Sequence, residues 1–316
     1  MAATKQTTAK KRRSTLRQRN TILGWSFILP NFLGFFLLHM VPIIVLFYLA
    51  FTKASMYAML DAKWIGLGNF QRLIHNTAFR TALWNTFYYA IPHILLTGAM
   101  ALGLAQLLNR KLKAVSFFRA AAFFPYITSI VALAIVWNLM FSQGGPINSI
   151  LDFFGLQPTN GLGWTTMGVW GPDVSKWAGS PAMWAVIIVG TWREMGYYML
   201  LFLAGLQTIP GELYEAARVD GATAFQRFLN ITWPGLRPTT FFIMVILSIE
   251  SFKVLDITMV MTEGGPGTST TVISQYIYRQ AFENNDPGYA SAVSLVLFAI
   301  CLTLTIIQYL INKRSQ

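Results

Sequence analysis

Apolar residues gather along this chain into stretches of twenty or more, set apart by short polar intervals. A helix rises 1.5 Å per residue, so about twenty apolar residues in a row match the ~30 Å of hydrocarbon in a bilayer. Six such stretches are readable: Leu23–Phe51, Leu83–Leu108, Phe117–Phe141, Pro181–Gly205, Pro238–Met261 and Tyr289–Ile311. Pro30 and Pro42 in the first predict a tilt or a kink. Nowhere does the alternating ten-residue pattern of a membrane barrel occur. The pattern therefore predicts an all-α polytopic membrane protein with six transmembrane helices.

Composition agrees and excludes a soluble enzyme. The 316 residues are 54% hydrophobic and only 11% charged, against about 25% charged in a soluble domain. Net charge is +12, and its placement sets orientation. Lys5, Lys10, Lys11, Arg12, Arg13, Arg17 and Arg19 crowd a tail over residues 1–22 that holds no acid. Arg110, Lys111, Lys113 and Arg119 follow the second stretch, and Lys313 and Arg314 follow the sixth. The long connection 142–180 has Lys176 as its one basic residue. By the positive-inside bias both termini are expected in the cytoplasm of a bacterial cell, as an even number of spans requires. The basic excess then reports topology and attraction to anionic lipid, with no nucleic-acid partner implied. The tail is not expected to be a cleaved signal, because the apolar run behind it is too long. One cysteine, Cys301, gives neither a disulfide nor a cysteine metal site, and no metal is expected. The organisation expected is a basic cytoplasmic tail, 1–22, and a membrane domain, 23–316.

Three connections carry pattern. In Trp64–His75, Phe70, Leu73 and Ile74 share a face with Gln71 and Arg72 turned away, predicting a short interfacial helix. The 142–180 connection predicts a short helix at Asn148–Phe154, with tryptophans suited to the headgroup zone. The connection 207–237 is the most patterned. Thr208 can cap a helix that takes Pro210 and Glu212 in its first turn, with Leu213, Ala216, Ala217 and Asp220 on one face. Gly221 stops it, and Thr223 with Gln226 forms a capping box for a second helix, ended by Pro234. Periodicity leaves two readings open: the pair packs under its own bundle, or its alanine face receives another protein.

Spacing goes further. Glu215-Ala216-Ala217, three residues, Gly221, nine residues, then Ile231-Thr232-Trp233-Pro234 resembles the EAA loop of bacterial ABC importer permeases, with Trp233 where that pattern usually has Leu. The resemblance implies the type I importer permease fold (MetI-like), a coupling helix docked on an ABC ATPase dimer that binds ATP-Mg, a sister permease subunit and an extracytoplasmic solute-binding protein. It implies Glu215, Ala216, Ala217, Asp220, Gly221, Ile231 and Pro234 as the coupling residues. Asp256 and Thr262-Glu-Gly264-Gly265-Pro266 are similar to the carbohydrate-uptake branch and its MalF/UgpA-type member, with Leu255 in place of the usual Phe. Further similarity runs through Trp64–Phe70, Asn85-Thr86, the Trp192 region and Gly288–Ala292. The branch implies a sugar or oligosaccharide cargo, with glycerol phosphodiester or a polyol as alternative, and a loop at Gly264, Gly265 and Pro266 facing the binding protein. Read as residues alone, that loop is a turn at a membrane exit, and it lacks the Gly-Lys-Ser/Thr ending of a phosphate loop. No catalytic residue and no cofactor of its own is expected in this chain.

Ionisable residues within spans cost about 3 kcal/mol each on insertion scales and are candidates by default. Arg193-Glu194 lie in the fourth stretch, and Glu250, Lys253 and Asp256 recur every third residue in the fifth, predicting one charged helix face with pairs along it. Trp137, Asn138, Trp192, Glu194, Glu250, Lys253 and Asp256 are candidates for the substrate path, the tryptophans by stacking on a pyranose ring. The alternative is a structural ion pair between helices. A proton-coupled carrier is disfavoured because His39 and His93 lie in other spans than these acids, and both, with His75, are expected to be packing or interface residues.

Overall fold

A computed structural model describes residues 23–110, 113–155, 164 and 180–314. The basic tail, Lys111 and most of the 142–180 connection, Lys176 included, lie outside the described residues. The first apolar stretch is one helix, α1 (Leu23–Ala50). Pro42 is taken up within it by a widened π-type turn at Phe36–Met40, where the Val41 N–H reaches back to the Phe36 carbonyl. A two-residue ladder follows, β1 (Thr52–Lys53) antiparallel to β2 (Lys63–Trp64). Then come α2 (Gly68–His75), α3 (Thr77–Leu108), α4 (Val115–Ile127), α5 (Ile130–Met140), α6 (Pro146–Phe153) and α7 (Pro181–Gln207). The second half holds α8 (Gly211–Val219), α9 (Ala224–Gly235), α10 (Arg237–Phe252), α11 (Asp256–Thr262), α12 (Ile273–Tyr278) and α13 (Pro287–Arg314).

Four helices, α1, α3, α7 and α13, are long and apolar enough to cross a bilayer unbroken. Two expected spans are bent instead. α4 and α5 meet at 97° across Thr128–Ser129, directly after Pro125 has removed a backbone donor from the last turn of α4. The fifth span departs most from expectation. Its helix ends at Phe252, Lys253-Val254-Leu255 run without helical structure, and α11 restarts at Asp256, a carboxylate at the favourable end of a helix dipole. Glu250, Lys253 and Asp256 therefore do not share one helix face. At its other end α10 meets α9 at 68°, pivoting on the fully buried Leu236.

Burial identifies the centre. α7 is the most enclosed span, with Met183, Ala185, Val186, Ile187, Val189 and Met199 wholly buried, whereas most of α1 is open along its apolar length. In lipid that openness costs nothing, and helices associate through small residues that let backbones approach. Gly190, Gly196 and Gly205 do this for α7 against α3, α4 and α10. A Cβ at Gly196 would stand 1.9 Å from the Ala122 carbonyl oxygen, and one at Gly205 2.5 Å from Thr239 Oγ1.

α2 packs by a different face from the one periodicity predicts. Asn69 and Leu73 are buried while Ile74 is exposed, and Asn69 Nδ2 donates to the carbonyls of Ala50 and Thr52, each at 2.9 Å. Arg72 is also not turned away. It pairs with Asp286 and lies 4.3 Å over the Tyr289 ring, tying α2 to the start of α13.

Candidate functional site

Three places hold the residues singled out by sequence. The first is the knob formed by α8 and α9. Thr208 does not cap α8 but closes α7, donating to the Gly205 carbonyl at 2.8 Å, and Pro210 holds the N-cap position of α8. The end of α8 is a Schellman turn: Ala222 N–H donates to Ala217 O at 2.8 Å and Gly221 N–H to Arg218 O at 3.2 Å. Gly221 adopts φ +76°, a left-handed conformation that only glycine takes without strain. The capping box forms, with Thr223 N–H donating to Gln226 Oε1 at 2.7 Å and Gln226 N–H to Thr223 Oγ1 at 3.3 Å. Pro234 does not end the second helix. A π-type turn at Phe228–Thr232 shifts the hydrogen-bond register ahead of the proline, and helix continues to Gly235.

The knob is fastened to itself and to the bundle. The Tyr214 and Thr232 hydroxyls lie 2.9 Å apart, and Ile209 presses on Gly235 so closely that a Cβ there would meet it at 2.8 Å. Yet α8 buries none of its residues, and Leu213, Glu215, Ala216, Val219, Asp220, Gly221 and Phe225 are exposed. Val219 is 89% open. A mutually fastened helix pair thus leaves apolar and small side chains open on its outer face.

The second place is a cavity of about 130 Å³ at the break in the fifth span, where α3, α7, α10 and α11 converge. Glu194, Glu250, Lys253 and Asp256 all line it, together with Tyr89, His93, Gly190, Arg193 and Ser251. Lys253 Nζ lies 3.5 Å from Glu250 Oε1, and Arg193 Nη1 lies 3.6 Å from Glu194 Oε1. No ion pair joins Lys253 to Asp256 among the described residues, because the intervening chain is not helical. His93 overturns the expectation that no histidine stands near these acids. Its Nε2 lies 3.7 Å from Glu194 Oε2 and its Nδ1 2.9 Å from Ser251 Oγ. Span number misleads here: α3 packs along α7, so residues far apart in sequence are neighbours. The available signal was the glycine at position 190, which lets Tyr89 and His93 lie against α7.

Trp137, Asn138 and Trp192 do not line this cavity. The two tryptophans meet edge-on at 5.3 Å, Trp137 also stacks on Phe141, and Asn138 Nδ2 donates to the Met261 carbonyl at 3.2 Å.

The third place is the loop 263–271. Gly264 and Gly267 take φ +83° and +63°. Asn85 Nδ2 donates to the carbonyls of Thr268 (2.8 Å) and Thr271 (3.0 Å), and Thr86 Oγ1 accepts from Ile273 N–H at 2.8 Å. The Asn85-Thr86 pair therefore holds this loop and the start of α12 against α3. Among the described residues no cluster of three metal-ligating side chains occurs.

Comparison with known proteins decides the family. The model of the binding-protein-dependent transport system inner membrane component matches residues 94–316. The chain belongs to this family. It is 30% identical over 303 residues to the trehalose/maltose transport system permease protein MalF of Thermococcus litoralis, covering 95% of this chain and 97% of the relative. It is 33% identical over 291 residues to the arabinooligosaccharides transport system permease protein AraP of Halalkalibacterium halodurans, covering 91% and 86%. Among solved structures, a chain of a bacterial ABC transporter involved in the import of the acidic polysaccharide alginate superposes with a TM-score of 0.78 at 24% identity, covering 96% of this chain and 99% of that one. The likeness establishes the type I importer permease fold for this membrane-embedded permease.

Proposed function

We propose that this permease forms, with a sister permease, the translocation path of an importer for a sugar or oligosaccharide, and couples to an ATPase dimer through α8 and α9. The observation that carries the reading is the knob: Glu215–Gly221, Ile231 and Pro234 lie on two capped, mutually fastened helices whose outer residues are open. Charge bias supports a cytoplasmic position for it, on the side of both termini, where a nucleotide-binding partner works. ATP-Mg is bound by that partner and not by this chain. The loop at Gly264, Gly265 and Pro266 then faces outward, toward the solute-binding protein that the family's description implies.

The cargo class rests on the named relatives, which carry trehalose or maltose and arabinooligosaccharides. The cavity supports a shared path. At about 130 Å³ it falls short of the roughly 300–1,000 Å³ of a small-molecule pocket, as expected of one wall of a path shared with a second subunit. Glu194, Glu250, Lys253 and Asp256 line this chain's side of the path. Trp137, Asn138 and Trp192 are not among the residues that line it.

The test uses Glu215→Lys, Gly221→Val and Gly221→Asn in the assembled transporter. A β-branched residue in the left-handed conformation costs about 1–2 kcal/mol and shifts the end of α8, whereas Asn tolerates it. The first two variants are expected to lose the co-purifying ATPase and sugar uptake, and Gly221→Asn to keep both. Normal ATPase association and uptake in Glu215→Lys and Gly221→Val would refute the coupling role.

A further inference from the structure

We infer that His93 and Glu194 form a buried site for one proton, joining α3 to α7 at the edge of the cavity. Ser251 fixes the tautomer of His93. Its Oγ lies 2.6 Å from the Leu247 carbonyl oxygen and 2.9 Å from His93 Nδ1. A hydroxyl has one proton and a carbonyl can only accept, so that proton is committed to Leu247. Ser251 Oγ must then accept from His93, and Nδ1 carries the hydrogen. In the neutral ring Nε2 is consequently a bare acceptor.

Nε2 is also enclosed. The His93 side chain is 1% exposed, and Nε2 makes no well-aligned hydrogen bond, the Gly190 backbone being the polar group beside it. It faces Glu194 Oε2 at 3.7 Å, which is acceptor-only when ionised. With no proton between them, two acceptors confront each other, the imidazole enclosed and the Glu194 side chain 20% exposed at the cavity. With two protons, an imidazolium faces an uncharged acid while Arg193 Nη1, 3.6 Å from the other Glu194 oxygen, loses its counter-charge. One proton satisfies both sides. It sits on Nε2 or on Glu194 Oε2, and the Gly190 backbone stands beside the ring, where a Cβ would lie 3.3 Å from Nε2.

The neighbours set the charge around the pair. Tyr89 of α3 stacks on the His93 ring at 5.0 Å. Arg193 of α7 lies 5.5 Å over Tyr126 of α4, and Tyr197 of α7 stacks on Tyr126 at 4.6 Å. Tyr198 follows Glu194 by one turn of α7. Glu250 of α10 and Lys253, the first residue of the break, lie 3.5 Å apart, and Asp256 opens α11 across the cavity. Through Ser251 the site also grips α10, two residues before the helix breaks. Losing the proton therefore loosens α3, α7 and α10 where the fifth span is discontinuous, and transport becomes sensitive to alkaline pH. The proton site does not depend on which cargo the permease carries.

The test has two arms. Histidine-ring 15N spectra of the full chain in lipid bilayers, with His39→Gln and His75→Gln leaving His93 as the remaining histidine of three, should show Nδ1 protonated throughout and the Nε2 resonance shifting in one step as the single proton of the pair is lost. Glu194→Gln should move the midpoint of that step, and Ser251→Ala should release the tautomer. A neutral ring protonated on Nε2, or a midpoint indifferent to Glu194→Gln, overturns the site, as does a tautomer indifferent to Ser251→Ala. In the assembled transporter the alkaline limb of the uptake profile should fall by up to about tenfold per pH unit, the limit for one proton. That limb should be absent in His93→Gln; a profile of unchanged shape would overturn the link to transport. Failure of ATPase docking in the Gly221 variants would leave the ring spectra untouched, so the two readings fail separately.

Discussion

Gly196→Ala is the smallest change that should part α7 from α4. The methyl would lie 1.9 Å from Ala122 O, 2.5 Å from Ala122 C and 2.9 Å from Phe123 Cα. All three are backbone atoms, so no rotamer change can clear the space. Ordinary contact begins at 3.4 Å, and 3.4 − 1.9 gives a separation of about 1.5 Å that the helices must find. A gap of 0.5–1 Å already forfeits a quarter to a half of the dispersion well, so most of the contact along this seam is lost. Forcing a group into a packed interface costs about 1–3 kcal/mol. The Tyr126–Tyr197 stack at 4.6 Å, next to the seam, adds about 0.5–1.5 kcal/mol. The sum is roughly 1.5–4.5 kcal/mol of destabilisation. Gly103→Ala in α3, with nothing within 4 Å, is the control. There alanine should be neutral or stabilise by up to about 1 kcal/mol. The assay is the temperature at which the monodisperse species is lost on heating in detergent, ranked between variants because such unfolding is irreversible. Gly196→Ala should fall several degrees below wild type and Gly103→Ala should not. Equal stability of the two would refute the close approach, and so would rescue of Gly196→Ala by Ala122→Gly, since the obstacle is Ala122's carbonyl and not its methyl.

Three further outcomes follow from contacts of known geometry. Asn85→Leu removes the donor from the carbonyls of Thr268, in an exposed bond, and Thr271, in a part-buried one, at about 0.5–1.5 kcal/mol for each hydrogen bond lost; proteolysis within 263–271 should accelerate, and wild-type resistance would show that Asn85 does not hold the loop. Arg72→Met removes the Asp286 pair and the contact with Tyr289, but Arg72 is 55% exposed. Its loss should therefore cost under about 1 kcal/mol and vanish in high salt, as a salt-independent melting temperature difference would disprove. Thr223→Ala deletes one half of the capping box, worth about 1 kcal/mol. Amide exchange at Phe225 and Gln226 should quicken by about fivefold with uptake of deuterium elsewhere unchanged, and unaltered exchange would mean the box is not formed in solution.

Hydropathy was enough for the spans because length and apolar content are properties a bilayer demands of each segment alone. The same holds for the knob: Gly221, Thr223 and Gln226 act on their own neighbours, and their chemistry is local. What the sequence concealed depends on contacts between segments. Pro238–Met261 reads as one span since Val254 and Leu255 are as apolar as any helical neighbour, and the interruption appears only as three charges in seven residues, Glu250, Lys253 and Asp256. Those charges were legible as candidates, and they do line one cavity, though from two helices and a break instead of one face. His93 was invisible as a partner of Glu194 because 101 positions separate them in number, and only the packing of α3 on α7 brings the imidazole there. Arg72 was misplaced for the same reason: periodicity gives a direction relative to its own helix, not the position of Asp286.

Stiff and yielding parts alternate along the path from knob to cavity. Tyr214 to Thr232 and Ile209 to Gly235 bind α8 and α9 to one another and to the end of α7. Gly205 seats α7 on Thr239 of α10, and Gly196 seats it on α4. A displacement applied at Glu215–Gly221 is therefore expected to carry α7 and α10 together, because sliding either alone would drive the Thr239 side chain into the α7 backbone at Gly205. The compliant points lie further on, at Lys253–Leu255 and at Thr128–Ser129, where helical hydrogen bonding stops. Both border the cavity, which Ile130 and Lys253 help to line. On the proposed coupling, motion from the ATPase is delivered where the cargo would pass and is not dissipated in the knob. Bridging the fifth-span break with helix-favouring residues, Val254→Ala with Leu255→Ala, should stiffen that joint. ATP hydrolysis would then continue while uptake falls, and an unchanged ratio of sugar moved to ATP consumed would place the joint elsewhere.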